Sequence, residues 1–344
     1  MPQKNDDRQG CVLIARFSAI GDVAMTIPVV YNLCRSYPHR QFVFLTKPFL
    51  APIFVDRPQN LSIETIDTKG RHKGFAGLYR LSRQLSAKWK IEAFADLHDV
   101  LRTKVLRSLF RLQGIPVAAI DKGRSEKRRL EKLGAINYHP LKPQIERYAD
   151  VFRTLGLSLE KSFDGLWGGH AKAPGEHPLK PYIVIAPFAA HAGKIYPAER
   201  MEQVISALSA REIPVVILGG GGDEERLASD WAARYGGVTS LAGKRLGFAR
   251  ELEIINHAAV TIAMDSGNMH LSAIARTPTV SIWGATHPFC GFAPWKQSEG
   301  IIQAQMACRP CSVFGNKPCR LASTPRCMDA IDPLVIVDKV LSYL

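Results

Sequence analysis

A chain of 344 residues with 46% hydrophobic and 22% charged residues is too long for one small domain and suits two of ordinary size. Its composition is that of a globular protein. No apolar run approaches the roughly 18 to 20 residues of a membrane span, and the polar opening MPQKNDDRQG carries no secretory signal, so the expected location is the cytoplasm. The net charge of +14 is uneven along the chain. Residues 1–172 hold 29 Lys and Arg against 16 Asp and Glu, whereas residues 173–344 hold 16 against 15. A basic half implies an anionic partner (nucleic acid, an anionic membrane surface or a phosphorylated substrate) unless it is only a solvated face.

Short β-branched and aromatic runs alternate with longer helical patterns, which predicts a mostly parallel sheet with crossover helices. The strand candidates of the first half are 11–16, 42–46, 61–66, 93–97 and 116–120, with helices over 22–36, 74–90 and 99–112. The second half repeats the alternation with strands at 182–186, 214–218, 238–242, 260–264 and 279–283, and Pro197 opens a helix. The stretch 162–181 is rich in Gly, Pro and His and has no period. It separates a domain of residues 1–165 from one of residues 182–331, with 166–181 as linker and 332–344 as a C-terminal helix. The expected fold is α/β, two Rossmann-like domains facing each other across a cleft.

In such sheets ligands bind at the carboxyl ends of the strands. The first strand runs into a loop with Ser18, Gly21 and Asp22. Asp22 sits where a helix N-cap would sit, and it equally suits a general base for an acceptor hydroxyl. One glycine is not a dinucleotide fingerprint. The strand 260–264 ends in Asp265, and Ser266 and Gly267 turn into a helix expected from about Met269 to Arg276. Open N–H groups at that helix start suit a diphosphate, with His270 one turn further in. Asp265 as a cap and His270 as a packed histidine are the ordinary alternatives. Lys194, in the loop after strand 182–186, would neutralise phosphate charge or lie solvated. The four glycines 219–222 would let a flat group lie on backbone, and Asp223 or Glu224 would hold ribose hydroxyls, unless the loop is a plain turn.

These segments, in this order, resemble glycosyltransferase family nine, the bacterial heptosyltransferases of lipopolysaccharide core assembly. An S-x-x-G-D-x-x-x-T-x-P loop stands at Ser18, Gly21, Asp22, Thr26 and Pro28. A D-x-G-x-x-H loop stands at Asp265, Gly267 and His270, followed by Pro278, Thr279, Gly284, Thr286 and Pro288. The stretch 96–106 is similar to the family's D-L-x-x-x-x-R-S, with Thr103 in place of Ser. The resemblance implies a GT-B fold, with an N-terminal acceptor domain and a C-terminal nucleotide-sugar donor domain. It implies an inverting transfer of heptose from ADP-heptose to an anionic lipid A–Kdo type acceptor, with Asp22 as general base. The donor would rest on Lys194, Asp223, Glu224, Asp265, Ser266, Gly267 and His270. The acceptor would meet Ser18, Gly21, Arg102 and Lys104, with the basic run 122–129 beside them. Lys194 and the helix start would stabilise the leaving diphosphate, so the mechanism calls for no cofactor and no metal. The loop before Lys194 reads FAAHAG and lacks the hydroxyl residues some relatives carry there.

Competing readings are a GT-B enzyme with a UDP- or GDP-sugar, an epimerase acting without acceptor, and a nucleic-acid-binding protein. The last explains the charge but has no recognisable binding motif, so no nucleic-acid partner is expected. The basic face would favour peripheral contact with the inner face of the inner membrane. Cys308, Cys311, Cys319 and Cys327 form a C-x2-C-x7-C-x7-C cluster. Its spacing is looser than paired zinc knuckles, leaving both structural zinc and free or redox-active thiols open.

Overall fold

The computed structural model describes residues 10–169, 172–173, 180–319, 321–322 and 325–344. Of the expected linker 166–181, residues 170, 171 and 174–179 lie outside the described residues. The contacts divide the chain into two compact units. One takes the chain up to Lys122 together with Gln144–Asp164, and the other takes Gly123–Pro143 together with Gly165–Leu344.

The first unit holds five parallel strands: β1 (Gly10–Ala15), β2 (Gln41–Thr46), β3 (Leu61–Thr65), β4 (Lys90–Asp96) and β5 (Val117–Ala119). Their order is β3-β2-β1-β4-β5. β1 and β2 are almost wholly buried, as apolar runs covered on both faces by crossover helices must be. The order reverses between β1 and β4, which is where an open α/β sheet opens a crevice beyond its strand ends. The single helix expected over 22–36 is two, Ile20–Ala24 and Ile27–Ser36. Pro28, in the first turn of the second, has no N–H and its ring would clash with the carbonyl of residue 24 in a continuous helix.

The second unit holds β6 (Ile183–Ala186), β7 (Val215–Ile217), β8 (Val238–Ser240), β9 (Val260–Met264), β10 (Thr279–Trp283) and β11 (Ile301–Gln303). They are parallel in the order β11-β10-β9-β6-β7-β8. The order reverses between β6 and β9. Sequence patterning missed β11, a three-residue strand at the sheet edge. A helix at Pro333–Leu341, capped by the Asp332 carboxylate at 2.9 Å from Leu334 N, adds Ile336, Val337 and Val340 to this unit's core.

The excursion Gly123–Pro143 has no counterpart in a division of the sequence near residue 165. Leu130 and Leu141 pack there with Cys290 and Val313, and Leu141 N donates to Phe289 O at 2.9 Å. With those residues moved, the first unit carries 22 Lys and Arg against 14 Asp and Glu, and the second 23 against 17. The two units are therefore similarly cationic, and the contrast between linear halves does not survive folding.

Candidate active site

In the first unit, the chain leaves β1 as Arg16, a side chain only 7% exposed that bridges two elements. Its Nη1 donates to Leu97 O at 2.7 Å, and its Nη2 lies 2.7 Å from Asp22 Oδ1. Asp22 Oδ2 accepts from Ala19 N at 3.1 Å. Asp22 is thus not the N-cap expected from its position. It is the third residue of the helix Ile20–Ala24, reaching back to the N–H of the preceding cap residue, as an acidic side chain there can. A quarter of its side chain stays exposed, so the carboxylate is fixed by a cation and an amide yet open on one side. Tyr148, buried beneath, donates to the Asp22 main-chain oxygen at 3.3 Å. Burial works against the Arg16 charge, but Tyr148, Asp22 and Asp96 outweigh it and raise the guanidinium's pKa.

Beside this pair, the end of β4 is organised by Asp96. Its Oδ1 accepts from His98 N at 2.9 Å and Asp99 N at 2.8 Å, and its Oδ2 is 3.6 Å from Arg107. Ser18 Oγ lies 3.4 Å from His98 Nε2, while Phe17 N donates to His98 Nδ1 at 3.4 Å. Burial, aided by Arg16, Lys122 and Lys47, lowers the His98 pKa to about 3, so this imidazole is neutral at any ordinary pH. Gly21 is buried in the turn of Ile20–Ala24. Thr103 caps its helix, its hydroxyl accepting from Val100 N at 3.0 Å. Arg102 is exposed on that helix, and Lys104, half exposed, is 3.8 Å from Asp99. Of the basic run 122–129, Lys122 belongs here, donating to Asp99 O at 3.1 Å. The rest belongs to the second unit, where Lys127 lies buried over the Phe292 ring, so the run is divided between the two units.

In the second unit the strand-end pattern recurs. Lys194, following β6, and Asp265, following β9, meet across the switch point with Nζ 2.8 Å from Oδ2. Both are largely buried, and the Lys194 stem lies against Gly315, where a side chain's Cβ would come within 2.6 Å of Cγ. Asp265 is therefore an ion-pair partner, and the cap is Ser266. The helix runs Gly267–Ile274, two residues earlier than expected, and His270 is buried within it. The hydroxyls of Ser266 and Thr286 are buried without a hydrogen-bond partner among the described residues. Buried hydroxyls without a partner, that of Ser266 standing on the cap of this helix start, are groups that an anionic ligand would satisfy. Asp223 and Glu224 differ from each other. Asp223 is 90% exposed and paired with Arg226 on its own helix, whereas Glu224 closes the glycine loop by accepting from Gly220 N at 2.7 Å.

Residues 78–320 match the sequence profile of Glycosyltransferase family 9 (heptosyltransferase). The chain belongs to this family. It is 26% identical over 308 residues to lipopolysaccharide heptosyltransferase 3 of Escherichia coli (strain K12), covering 82% of this chain and 84% of that one. In structure it resembles a family 9 glycosyltransferase from Veillonella parvula (TM-score 0.73, 18% identity, 97% and 96% covered). It also resembles E. coli heptosyltransferase WaaC with ADP (TM-score 0.70, 16% identity, 97% and 100% covered). The fold is GT-B, and the chain is a glycosyltransferase.

In this family 9 glycosyltransferase, the motifs single out Asp22, Lys194 and Asp265 as candidates but not what holds them. Arg16 was read as the last residue of a strand. His98 and Asp96 lay inside the quoted 96–106 motif without a role. Phe188, stacked on Trp231 and lying over Gly219, gave no local signal, because its neighbours come from distant segments.

Proposed function

We propose that this enzyme transfers heptose from ADP-heptose to an anionic lipopolysaccharide-core acceptor of the lipid A–Kdo type, with inversion, and with Asp22 as general base. The observation that carries the reading is the Asp22 carboxylate, fixed by Arg16 at 2.7 Å and open on one side at the switch point of the first sheet. A general base must be ionised, oriented and reachable by the hydroxyl it deprotonates. The acceptor oxygen attacks the anomeric carbon as Asp22 takes its proton, and the nucleoside diphosphate leaves from the opposite face. In the second unit, Lys194 and the N–H groups at Gly267 stabilise the charge gained by the leaving diphosphate. Lys194 is shared with Asp265, so its charge is held in place beforehand and needs no reorganisation on binding. Ser266 and His270 line the same helix start, and Asp223 and Glu224 flank the nucleoside side. Ser18, Gly21, Arg102 and Lys104 face the acceptor.

Among the described residues no helix is long and apolar enough to cross a membrane. The proposed place of work is the cytoplasm, with peripheral contact at the inner membrane through the basic surface, where each Lys or Arg contributes about 1 kcal/mol. The test is release of ADP from ADP-heptose, with and without a lipid A–Kdo acceptor, by wild type and Asp22→Asn. Acceptor-dependent release that falls about 10²–10⁴-fold in the variant, with the melting temperature held, is the expected result. Turnover without acceptor, or an unaffected variant, overturns the assignment of Asp22. A thermal shift with UDP or GDP but not ADP overturns the donor.

A further inference from the structure

Three neighbouring strands of the first unit end in one row. Ala15 closes β1 opposite Leu45 of β2 on one side and Asp96 of β4 on the other. Just past this row Arg16 N donates to Leu45 O and Leu97 N to Ala15 O, each at 3.1 Å. Followed two residues on, the same register sets Phe17 between Lys47 and His98, with Ser18 next along the chain. Parallel strands lie about 4.8 Å apart, well within the reach of a lysine stem.

Hydrogen bonding fixes which nitrogen of His98 carries the proton. Phe17 N donates to Nδ1 at 3.4 Å, and a ring nitrogen that accepts a backbone N–H has no proton of its own. The proton therefore sits on Nε2, 3.4 Å from Ser18 Oγ, so the imidazole donates and the hydroxyl accepts. The buried ring stands edge-on to Phe17 with centroids 5.6 Å apart, and Asp96 holds the His98 N–H. The Ser18 hydroxyl thus keeps its own proton for another acceptor, and none takes it among the described residues. Ser18 is partly exposed and directly precedes Ala19, whose N–H holds Asp22 Oδ2.

The charged groups acting on the His98 ring are Arg16, Lys122, Asp22 and Lys47. Arg16 is paired with Asp22, and Lys122 donates to Asp99 O. Lys47 is partly buried and its ammonium has no partner among the described residues. One unpaired cation and one unclaimed O–H, on either side of a neutral ring, suit a singly charged group with two acceptor oxygens. A phosphate dianion would call for more positive charge than one lysine supplies. We propose that Ser18 and Lys47 bind the carboxylate of an acidic sugar in the acceptor, and that His98 is the positioning residue that orients the Ser18 hydroxyl towards it. On the acceptor reading given above, on which this subsite rests, the carboxylate is that of Kdo. Ser18 donates one hydrogen bond, Lys47 supplies the charge, and the anchored sugar presents a hydroxyl to the open side of Asp22.

The experiment measures binding to the whole chain by calorimetry, without donor, so that it does not depend on turnover. The probes are de-acylated lipid A–Kdo and its Kdo methyl ester, which keeps every hydroxyl and removes the one charge. Wild type should bind the acid about 10-fold or more tightly than the ester, as loss of a hydrogen bond to a charged group implies. Ser18→Ala and Lys47→Met should each bring the ratio of the two affinities towards one. His98→Asn keeps an acceptor for Phe17 N but falls short of Ser18, and should behave as Ser18→Ala does. His98→Gln, whose amide reaches as far as Nε2, should restore the ratio. A merely structural role for His98 would weaken both probes alike, so a ratio unmoved in His98→Asn overturns the positioning. No binding of the acid, a wild-type ratio near one, or a ratio unchanged in both Ser18→Ala and Lys47→Met overturns the subsite. Absence of ADP release from ADP-heptose with the ratio intact would instead overturn the transfer reading alone.

Discussion

Arg16 does for Asp22 what no capping residue would do. A cap holds a carboxylate against its own helix, whereas the guanidinium also grips Leu97 O and so ties the carboxylate to the neighbouring strand end. Motif spacing located the carboxylate, but it could not show that the partner is the residue just after β1, because an ion pair depends on where two backbones run. The buried histidines make a prediction at this scale. His98 has its pKa lowered to about 3 by burial and nearby cations. His287, which accepts from Phe289 N at 3.1 Å, is lowered to about 4 by burial and Arg309. Between those values and the ordinary 6.5 the unfolded chain binds protons that the folded chain does not, so stability rises with pH in this window. Each contributes a slope of up to about 1.4 kcal/mol per pH unit. Denaturant midpoints should be flat above pH 6.5 and fall steadily towards pH 4. His98→Asn and His287→Asn should each flatten the fall, since the Asn carbonyl can accept the same backbone N–H without titrating. Equal pH dependence in wild type and both variants would contradict this.

At the scale of elements, both candidate sites arise from one device, a buried parallel strand followed by a turn and a helix start next to the reversal of strand order. Strand positions were legible as apolar runs bounded by polar turns. Helix starts were less so. The helix expected from about Met269 starts at Gly267, because the ion pair with Lys194 occupies Asp265 and leaves Ser266 as cap. Ser266 makes no capping bond through its side chain, although it is the type of residue that ordinarily does. Replacing a working Ser cap by Ala costs typically about 1 kcal/mol. Ser266→Ala should cost less, about 0.5 kcal/mol or below, while reducing the thermal shift given by the bound nucleotide. A full capping loss with an unchanged nucleotide shift would mean that the hydroxyl serves the helix and not a ligand.

Across the whole molecule, the excursion Gly123–Pro143 decides more than its length suggests. It takes helix Arg124–Leu133 out of the first unit and places Leu130 in a small core with Leu141, Cys290 and Val313. Leu130→Ala should therefore destabilise the second unit by about 2–5 kcal/mol and leave the first largely unaffected. Trp231 and Trp283 are buried in the second unit and Trp89 lies in the first. The unfolding midpoint read at Trp231 and Trp283, with the other tryptophans replaced, should drop, and the one read at Trp89 should hold. A drop confined to Trp89 would show that the helix serves the first unit instead.

Alternating apolar runs and turn residues established two parallel α/β sheets, and paired motifs at their separation established the glycosyltransferase family. Both are local signals, carried by a dozen residues at a time, and local patterns survive in a linear reading. The partners of Asp22 and Asp265, the neutral state of His98 and the sharing of basic residues between units were decided only by tertiary structure. Each depends on segments tens of residues apart meeting at a strand end, where burial and proximity, not residue type, set the charge and hydrogen bonding of a side chain.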